Sequence, residues 1–287
     1  MNKINFVFWG TPDVASNTLE ILEQSGFLPS LIITSPDARK GRKMLLIPPP
    51  VKVWAEKNKI PCIQPEENTE LLSFFLSEEF GLAVRSEKKI KEAKYDLSIV
   101  VAYGKIIPEN ILNIPKLGSI NIHYSLLPKY RGASPVESAI LNGENRTGVT
   151  IQQMEYKMDS GPILTKEKVE IGKDETTPEL RKRLIKIGGE LLVKILPDLM
   201  EGRIKPIPQN ENSATHCAKI KKEDGLIDLN ADGVLNYNKF RAYATWPRTY
   251  FFENGKRIII TKARLENNNF IIEKVIPESK KETNYKN

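Results

Sequence analysis

The chain opens with a pattern of apolar and polar residues that predicts a strand, a helix and a second strand. The apolar run over residues 4–9 is too short for a helix and ends in the turn residues Gly10-Thr11-Pro12, so it predicts a buried parallel strand. A helix is expected to follow as far as about Gln24, and a second strand over 28–34. This order favours a doubly wound α/β sheet. Because the turn lacks the spacing Gly-x-Gly-x-x-Gly, no nicotinamide nucleotide is predicted.

The same kind of pattern extends along the rest of the chain. Helices are predicted over residues 51–58, 66–94, 135–141, 177–200 and 234–240, and strands over 61–64, 97–101, 119–123, 163–171, 248–253, 257–263 and 270–275. Residues 34–50 are expected to form a long loop, and residues 201–213, rich in Gly, Pro and Asn, a linker. The polar tail around Lys280 and Lys281 is expected to be disordered or to face tRNA, and disorder is the more ordinary interpretation for the last few residues.

Two segments carry polar side chains that suit chemistry better than packing. In the strand predicted over 119–123, apolar residues point to one face while Asn121 and His123 leave the other. An amide and an imidazole that project from the same face can both form hydrogen bonds to one polar reacting centre. The segment 147–162 predicts a strand that ends in a turn at Asp159, and this turn could bring a carboxylate to the imidazole. A lone Asn-x-His pair would be a weak signal, because a capped strand end is its more ordinary interpretation.

Composition narrows the class of protein without naming a function. The chain has 287 residues, 40% hydrophobic and 28% charged, which predicts a globular protein of two domains. The net charge of +7 suits an anionic partner, and more than half of the excess lies after residue 205. No apolar run is long enough to span a membrane, and the first strand begins so early that no secretory signal is expected. Cys62 and Cys217 show neither metal-type spacing nor a disulfide framework, which fits a reducing cytoplasm, and His216 is expected at the surface.

The two polar segments resemble the folate-dependent formyltransferase family. That family's pattern is Asn-x-His-x-Ser-Leu-Leu-Pro-x-x-Arg-Gly, followed by an Asp-x-Gly turn after a Gly-Val-Thr strand, and this chain carries it over 121–132 and 148–161. The resemblance implies a catalytic trio of Asn121, His123 and Asp159. It also implies a folate-contacting loop made of Ser125, Leu126, Leu127 and Pro128. Tyr124 departs from the pattern, because the family usually has a small residue there.

Four basic residues lie in the predicted long loop: Arg39, Lys40, Arg42 and Lys43. By composition alone, the more ordinary interpretation of this stretch is a flexible, charged surface loop. Family members that act on methionyl-tRNA carry a basic loop here, followed by Pro-Val-Lys as at 50–52, so the resemblance implies that the four residues bind tRNA. The loop lacks the second glycine of the family's Gly-Arg-Gly.

The last part of the chain resembles the C-terminal domain of the same family members over 218–228 and 241–247. In the family this region is a small β-barrel like an oligonucleotide-binding (OB) fold, and here it is short. The predicted fold is therefore α/β in three parts. A Rossmann-like, doubly wound formyltransferase domain is expected over 1–203, a linker over 204–213, and a shortened OB-like β-barrel domain that binds tRNA over 214–287.

The resemblance implies an enzyme that transfers a formyl group from 10-formyltetrahydrofolate to the α-amino group of methionine on initiator methionyl-tRNA. The sequence contains no metal-ligand cluster, so no metal is expected, and the protein is expected to be a cytoplasmic monomer. Alternatives stay open at this point. The acceptor could be an amino sugar or a purine precursor, water could accept the formyl group in a hydrolytic relative, or the protein could be a catalytically silent RNA-binding protein. The basic loop and the segment 241–247 favour tRNA. A catalytically silent RNA-binding protein would not require Asn121, His123 and Asp159, so these three residues favour an enzyme.

Overall fold

A computed structural model describes residues 4–41, 43–76, 84–85, 89–90 and 95–285. The chain forms two compact units, and each is assembled from separated segments. Unit 1 comprises Met1–His123, Val149–Glu167 and Ile185–Asn210, and unit 2 comprises Tyr124–Gly148, Lys168–Leu184 and Glu211–Asn287. The domain boundaries expected from the sequence, with a single cut at 204–213, stay a prediction.

Helices and strands follow the predicted pattern over most of the chain. The helices within the described residues are α1 (Asp13–Gln24), α2 (Pro50–Lys57), α3 (Asn68–Leu76), α4 (Glu109–Leu112), α5 (Pro135–Leu141), α6 (Thr177–Met200) and α7 (Gly233–Ala242). The strands there are β1 (Phe6–Gly10), β2 (Leu31–Ile33), β3 (Ala38–Lys40), β4 (Leu45–Ile47), β5 (Cys62–Ile63), β6 (Val84–Arg85), β7 (Lys89–Ile90), β8 (Leu97–Val101), β9 (Ser119–His123), β10 (Arg131–Gly132), β11 (Arg146–Gln153), β12 (Ile163–Glu170), β13 (His216–Cys217), β14 (Tyr250–Glu253), β15 (Lys256–Glu266), β16 (Asn269–Pro277) and β17 (Thr283–Asn284). None of these described helices combines the length and the apolar character that a membrane span requires.

Unit 1 is built around a sheet that has seven strands within the described residues, in the order β12-β11-β9-β8-β1-β2-β5. β1 pairs in parallel with β2 and β8, β2 with β5, and β8 with β9, while β11 runs antiparallel to β9. The strand order therefore runs outward from β1 in both directions, which confirms the predicted doubly wound α/β sheet. All five residues of β1 are buried, because a central strand covered on both faces must be apolar throughout.

Close packing fixes the strand ends of this sheet. A Cβ atom at Gly10 would lie 2.5 Å from the Cβ of Ala15 and 2.9 Å from the carbonyl oxygen of Val101, so glycine lets α1 begin this close to the sheet. Next to it, Trp9 stacks on Phe75 with 5.8 Å between ring centroids, inside an apolar cluster. β9, which carries the candidate site residues, therefore pairs with a sheet whose centre is rigidly packed.

The long loop expected over 34–50 contains a β-hairpin, so this prediction was wrong. β3 and β4 are antiparallel, with Ala38 opposite Ile47 and Lys40 opposite Leu45. The backbone N–H of Met44 donates to the carbonyl of Gly41 at 3.1 Å, and both residues have positive φ. The basic residues give no sequence signal for β3, because Lys has a low strand propensity. The strand forms because its pairing with β4 supplies stabilising backbone hydrogen bonds.

The helix expected over residues 66–94 is shorter than predicted. α3 ends at Leu76, and β6 and β7 then pair antiparallel, with Val84 opposite Ile90. The rest of the stretch from 77 to 94 lies outside the described residues. Glu and Lys favour helices in isolation, but intrinsic propensity is a weak preference that strand pairing overrides.

Unit 2 contains a small sheet in the order β14-β15-β16-β17, with neighbouring strands antiparallel. Its core comprises Ile227, Phe251, Ile258, Ile260, Ile272 and Val275. The small C-terminal β domain that the sequence predicts is therefore confirmed as an antiparallel sheet. The described part of the tail makes specific contacts, contrary to the expectation of disorder: Thr283 pairs with Val275, and the ring of Tyr285 lies 5.7 Å from that of Phe251. The polar sequence gives no strand signal here, because backbone pairing with β16 and not side-chain pattern stabilises β17.

A second short pairing holds the loop that follows β9 within unit 2. β10 pairs in parallel with β13, placing Arg131 opposite His216. Arg131 is only 1% exposed, and its guanidinium donates to both carboxylate oxygens of Glu211 at 3.1 and 2.6 Å. A Cβ atom at Gly132 would lie 2.2 Å from the carbonyl oxygen of Cys217. The Arg-Gly pair of the motif therefore shapes this loop.

Candidate active site

The register of β9 and β11 sets four side chains on one face of the sheet in unit 1. The two strands are antiparallel, with His123 opposite Thr150 and Asn121 opposite Gln152. Side chains alternate along a strand, so residues two apart share a face with the residues directly opposite them. Asn121 and His123 therefore project together, with Thr150 and Gln152 as their neighbours.

The turn after β11 brings the carboxylate of Asp159 to the same place. Its Oδ1 lies 3.6 Å from Nδ1 of His123, within the range of an ion pair but longer than a hydrogen bond. Gly161 is required two residues later, since a Cβ atom there would lie 1.9 Å from the carbonyl oxygen of Gln153. The side chains of His123 and Asp159 are 6% and 14% exposed, so solvent screens their interaction weakly.

Two hydrogen bonds orient the amide of Asn121. Its Nδ2 donates to the carbonyl of Val100 at 3.0 Å, and its Oδ1 accepts from Nε2 of Gln152 at 3.5 Å. Turning the amide over would set its oxygen against the carbonyl oxygen of Val100, so the observed orientation is the stable one. The second N–H of Nδ2 can then donate to a substrate oxygen that gains negative charge.

Two glutamines complete this cluster, and sequence reasoning missed both. Nε2 of Gln152 donates to Oδ1 of Asp159 at 2.9 Å. Nε2 of Gln209 donates to the carbonyl oxygens of Asp159 and Gly161 at 2.9 and 2.7 Å. Strand alternation could have pointed to Gln152, because it lies two residues after Thr150. Gln209 lies in the segment expected to be a linker, and no local pattern distinguishes it.

The expected folate loop lies in unit 2 and follows β9 directly in the chain. Ser125 and Leu127 are fully buried, whereas Leu126 and Pro128 are partly exposed. The hydroxyl of Ser125 donates to the carbonyl of Lys129 at 2.6 Å, which closes the loop on itself. These contacts account for the shape of the loop, and its binding of folate stays a prediction.

Of the four basic residues expected to bind tRNA, two can be located. Arg39 and Lys43 are exposed on the β3–β4 hairpin, while Arg42 and the side chain of Lys40 lie outside the described residues. Four apolar side chains on the same hairpin are also exposed: Met44, Leu45, Leu46 and Ile47. The hairpin therefore presents both positive charge and apolar surface to a partner.

The base of the hairpin is held by Asp37. Nζ of Lys52 donates to both carboxylate oxygens at 2.9 Å, and Nε2 of Gln64 donates to Oδ1 at 2.8 Å. The hydrogen bond from Gln64, and after it the one from Lys52, lowers the pKa of the Asp37 carboxyl below its ordinary value. Lys52 is the lysine of the Pro-Val-Lys match, so its local contact anchors the hairpin.

The other potential metal or redox ligands are dispersed. In the part of the chain that the structure describes, no group of three or more His, Cys, Asp or Glu side chains is placed to hold a metal ion. Cys62 and Cys217 form no disulfide, and burial raises the pKa of Cys62 to about 11. His216 is exposed on β13, as expected.

Known proteins resemble the chain along most of its length. Residues 2–196 match the formyl transferase family, and residues 219–283 match the formyl transferase C-terminal domain. The methionyl-tRNA formyltransferase of Halalkalibacterium halodurans is 39% identical over 256 residues, which cover 88% of this chain and 76% of the relative. That of Thermotoga maritima is 41% identical over 246 residues, covering 85% and 74%.

Solved structures share the fold. An N-formyltransferase from Helicobacter canadensis, in complex with folinic acid and dTDP-3-aminofucose, has a TM-score of 0.66 at 21% identity, covering 92% of this chain and 88% of its own. The methionyl-tRNA formyltransferase from Clostridium thermocellum has a TM-score of 0.60 at 16% identity, covering 96% and 98%. With family matches in both its N-terminal and its C-terminal part, the chain belongs to the formyl transferase family.

Proposed function

We propose that this protein transfers a formyl group from 10-formyltetrahydrofolate to the α-amino group of methionine on initiator methionyl-tRNA, for the initiation of translation. The observation that carries the proposal is the cluster of Asn121, His123 and Asp159 on one face of the sheet in unit 1. An amide donor, an imidazole and a carboxylate are the groups that acyl transfer from an amide to an amine needs.

Each member of the cluster has a distinct part in the proposed reaction. The amine nitrogen bonds to the formyl carbon, and the bond between that carbon and the folate nitrogen breaks with its electron pair moving to the folate nitrogen. The amine loses a proton, and the leaving folate nitrogen gains one, so tetrahydrofolate departs neutral at that atom. Asn121 donates its second N–H to the formyl oxygen as negative charge develops there. The amine proton leaves to His123 or to a water held by Asp159, and the Asp159 carboxylate stabilises the positive charge that develops on the imidazole.

The hairpin supports tRNA as the acceptor. Arg39 and Lys43 are exposed and suit sequence-independent contacts with phosphates, and the apolar side chains beside them can contact bases. Relatives that are 39% and 41% identical over most of this chain are named methionyl-tRNA formyltransferases. Solved sugar N-formyltransferases are 21% and 19% identical and support the fold alone.

The proposal is tested by incubating the protein with 10-formyltetrahydrofolate and charged initiator tRNA, and measuring formylmethionine by mass spectrometry. Parallel reactions contain a nucleotide-linked amino sugar, an amine precursor of purines, or no acceptor other than water. We expect formyl transfer to methionyl-tRNA, and a loss of at least about 10²-fold in His123→Ala. Circular dichroism of that variant controls for folding. Faster transfer to the sugar, to the purine precursor or to water would contradict the proposed acceptor.

The basic hairpin is tested separately from the chemistry. Arg39→Gln and Lys43→Gln should each raise KM for methionyl-tRNA and reduce the salt dependence of binding by about one charge, with kcat at saturating tRNA unchanged. Lys57→Gln is the matched control, because Lys57 is also exposed but lies at the end of α2. Equal KM values for all three variants and the wild-type protein would argue against tRNA binding by the hairpin.

We further propose that Ser125, Leu126, Leu127 and Pro128 contact the folate. Leu126→Ala should raise KM for 10-formyltetrahydrofolate and leave KM for methionyl-tRNA unchanged, because the deleted side chain is partly exposed and its loop keeps its internal hydrogen bond. Two cysteines that form no disulfide suit a reducing compartment, so a cytoplasmic location is proposed. The protein is proposed to act as a monomer, and sedimentation velocity at the assay concentration measures its mass.

A further inference from the structure

The contacts of Gln152 and Gln209 with Asp159 are left unexplained by the proposed reaction. We infer that both glutamines are positioning residues: Gln152 fixes the Asp159 carboxylate beside His123, and Gln209 fixes the turn that carries Asp159. The inference rests on the proposed function, since it gives the two glutamines a part in the same catalytic cluster.

Gln152 is placed to hold one carboxylate oxygen of Asp159 by a hydrogen bond. Its side chain is 2% exposed, and its Nε2 donates to Oδ1 of Asp159, which is the same oxygen that faces Nδ1 of His123. Its Oε1 in turn accepts from Nε2 of Gln209 at 3.3 Å. Turning the Gln152 amide over would set its oxygen against the oxygens of Asp159 and Asn121, so this network holds the donor toward them.

Gln209 controls the backbone of the turn. Asp159 has φ of 53°, in the left-handed region that residues with a side chain adopt at a cost in free energy. The Gln209 amide donates to carbonyl oxygens on both sides of Ser160, so it ties the two ends of the turn together. Its own position is fixed nearby, because Ile207 and Ile163 exchange backbone hydrogen bonds of 2.8 and 2.9 Å. A segment expected to be a linker therefore supports the candidate active site.

The first test removes the donor at position 152 without changing the volume. Gln152→Met should lower kcat by about 10²-fold and leave both KM values within about two-fold, because a misplacement of about 1 Å at a catalytic group costs about that much. Gln153→Met is the matched control: it is the next residue on β11 and points to the opposite face. A Gln152→Met variant as active as the control overturns the inference.

A double-mutant cycle shows whether Gln152 acts through Asp159. In an Asp159→Asn background, Gln152→Met should lower kcat by much less than in the wild-type protein, at most about ten-fold, because the carboxylate that it positions is already gone and only its longer contact of 3.5 Å with Asn121 remains to be lost. A full additional loss in that background would mean that Gln152 acts elsewhere, and this would overturn the inference. Gln209→Met should show the same non-additivity with Asp159→Asn, and independent effects would remove Gln209 from the assignment.

A pH profile distinguishes positioning from simple packing. Gln152→Glu keeps the length of the side chain but sets a second carboxylate against Asp159, and two adjacent carboxylates share a proton more readily as pH falls. The protonated form regains an O–H donor to Asp159. The ratio of Gln152→Glu to wild-type kcat should therefore rise as pH falls. A ratio that does not change with pH counts against a hydrogen-bonding role.

A structural measurement separates failure of the inference from failure of the proposed function. If the wild-type protein does not formylate methionyl-tRNA, the proposed function fails, and crystal structures of the wild-type protein and Gln152→Met then decide the inference. Loss of the approach of Asp159 to His123, which is 3.6 Å here, would support positioning by Gln152. An unchanged distance in the variant would overturn it.

Discussion

Replacing Asp159 by Asn removes one negative charge beside His123 and changes little else. Asn has nearly the same size, and Gln152 can still donate to its Oδ1. At the observed 3.6 Å between Nδ1 and Oδ1, two unit charges attract each other by about 4.6 kcal/mol if the effective dielectric constant is about 20. Since about 1.4 kcal/mol corresponds to a tenfold change in rate, the expected ceiling on the loss of activity is about 10³-fold.

The assay is single-turnover formylation at saturating concentrations of both substrates. We expect the rate constant of Asp159→Asn to fall by about 10²- to 10³-fold, with both KM values little changed, because the charge acts on the transition state rather than on binding. Asp13→Asn is the control, since Asp13 is an exposed residue in the first turn of α1. Thermal unfolding of both variants is measured alongside.

One result would refute this reasoning. If Asp159→Asn unfolds like the wild-type protein and keeps its rate within about three-fold, the interaction across 3.6 Å has no part in catalysis. The Coulomb argument would then be wrong for this pair. The assignment of the trio would also fail, because Asn121 and His123 would remain without their third member.

Further predictions concern groups outside the trio and one turn beside it. Burial raises the pKa of Cys62 to about 11, so in a Cys217→Ser background its alkylation near neutral pH should be roughly 10²-fold slower than that of an ordinary thiol, and should accelerate as pH rises toward that pKa. A rate equal to that of the unfolded protein would contradict the shift. Arg241→Met should destabilise the protein by about 3 kcal/mol in urea unfolding, because Arg241 is buried and donates to the carbonyls of Gly172 and Glu175, which would lose a partner. Gly161→Ala should cost about 2 kcal/mol of stability and most of the activity, since its Cβ would meet a backbone oxygen at 1.9 Å, and unchanged unfolding would contradict that clash.

Local pattern was sufficient for the central sheet. The bounds of β8, β9 and α5 are those predicted, because β8 and β9 are apolar or alternating runs, α5 has apolar residues at helical spacing, and turn residues follow each of them. The same local signals gave wrong predictions in the stretches that are rich in charged and polar residues. The β3–β4 hairpin and the strand β17 are stabilised by backbone pairing with the neighbouring strand in the chain, and their charged and polar side chains do not signal this pairing. Helix propensity over 66–94 likewise gave the wrong structure for β6 and β7.

The candidate site divides in the same way. Strand alternation predicted that Asn121 and His123 leave one face, and it would have included Gln152 once the pairing of β9 with β11 was known. Strand alternation gave no information about Gln209, which lies 50 residues after Asp159 in the chain. A hydrogen bond between groups so far apart depends on how the intervening segment folds, and neither residue type requires the other.

By itself, the amino-acid sequence determined the doubly wound sheet, the order of its main elements and the residue types available for formyl transfer. Periodicity and turn residues act over a few neighbouring positions, so they can be recognised without the fold. Only the tertiary structure decided that Asp159 lies 3.6 Å from His123, that two glutamines hold it there, and that the basic stretch at 38–47 is a hairpin. The contacts of Asp159 depend on strand register and long-range hydrogen bonds, which form only when distant segments pack together, whereas the hairpin depends on local backbone pairing that its charged side chains do not signal.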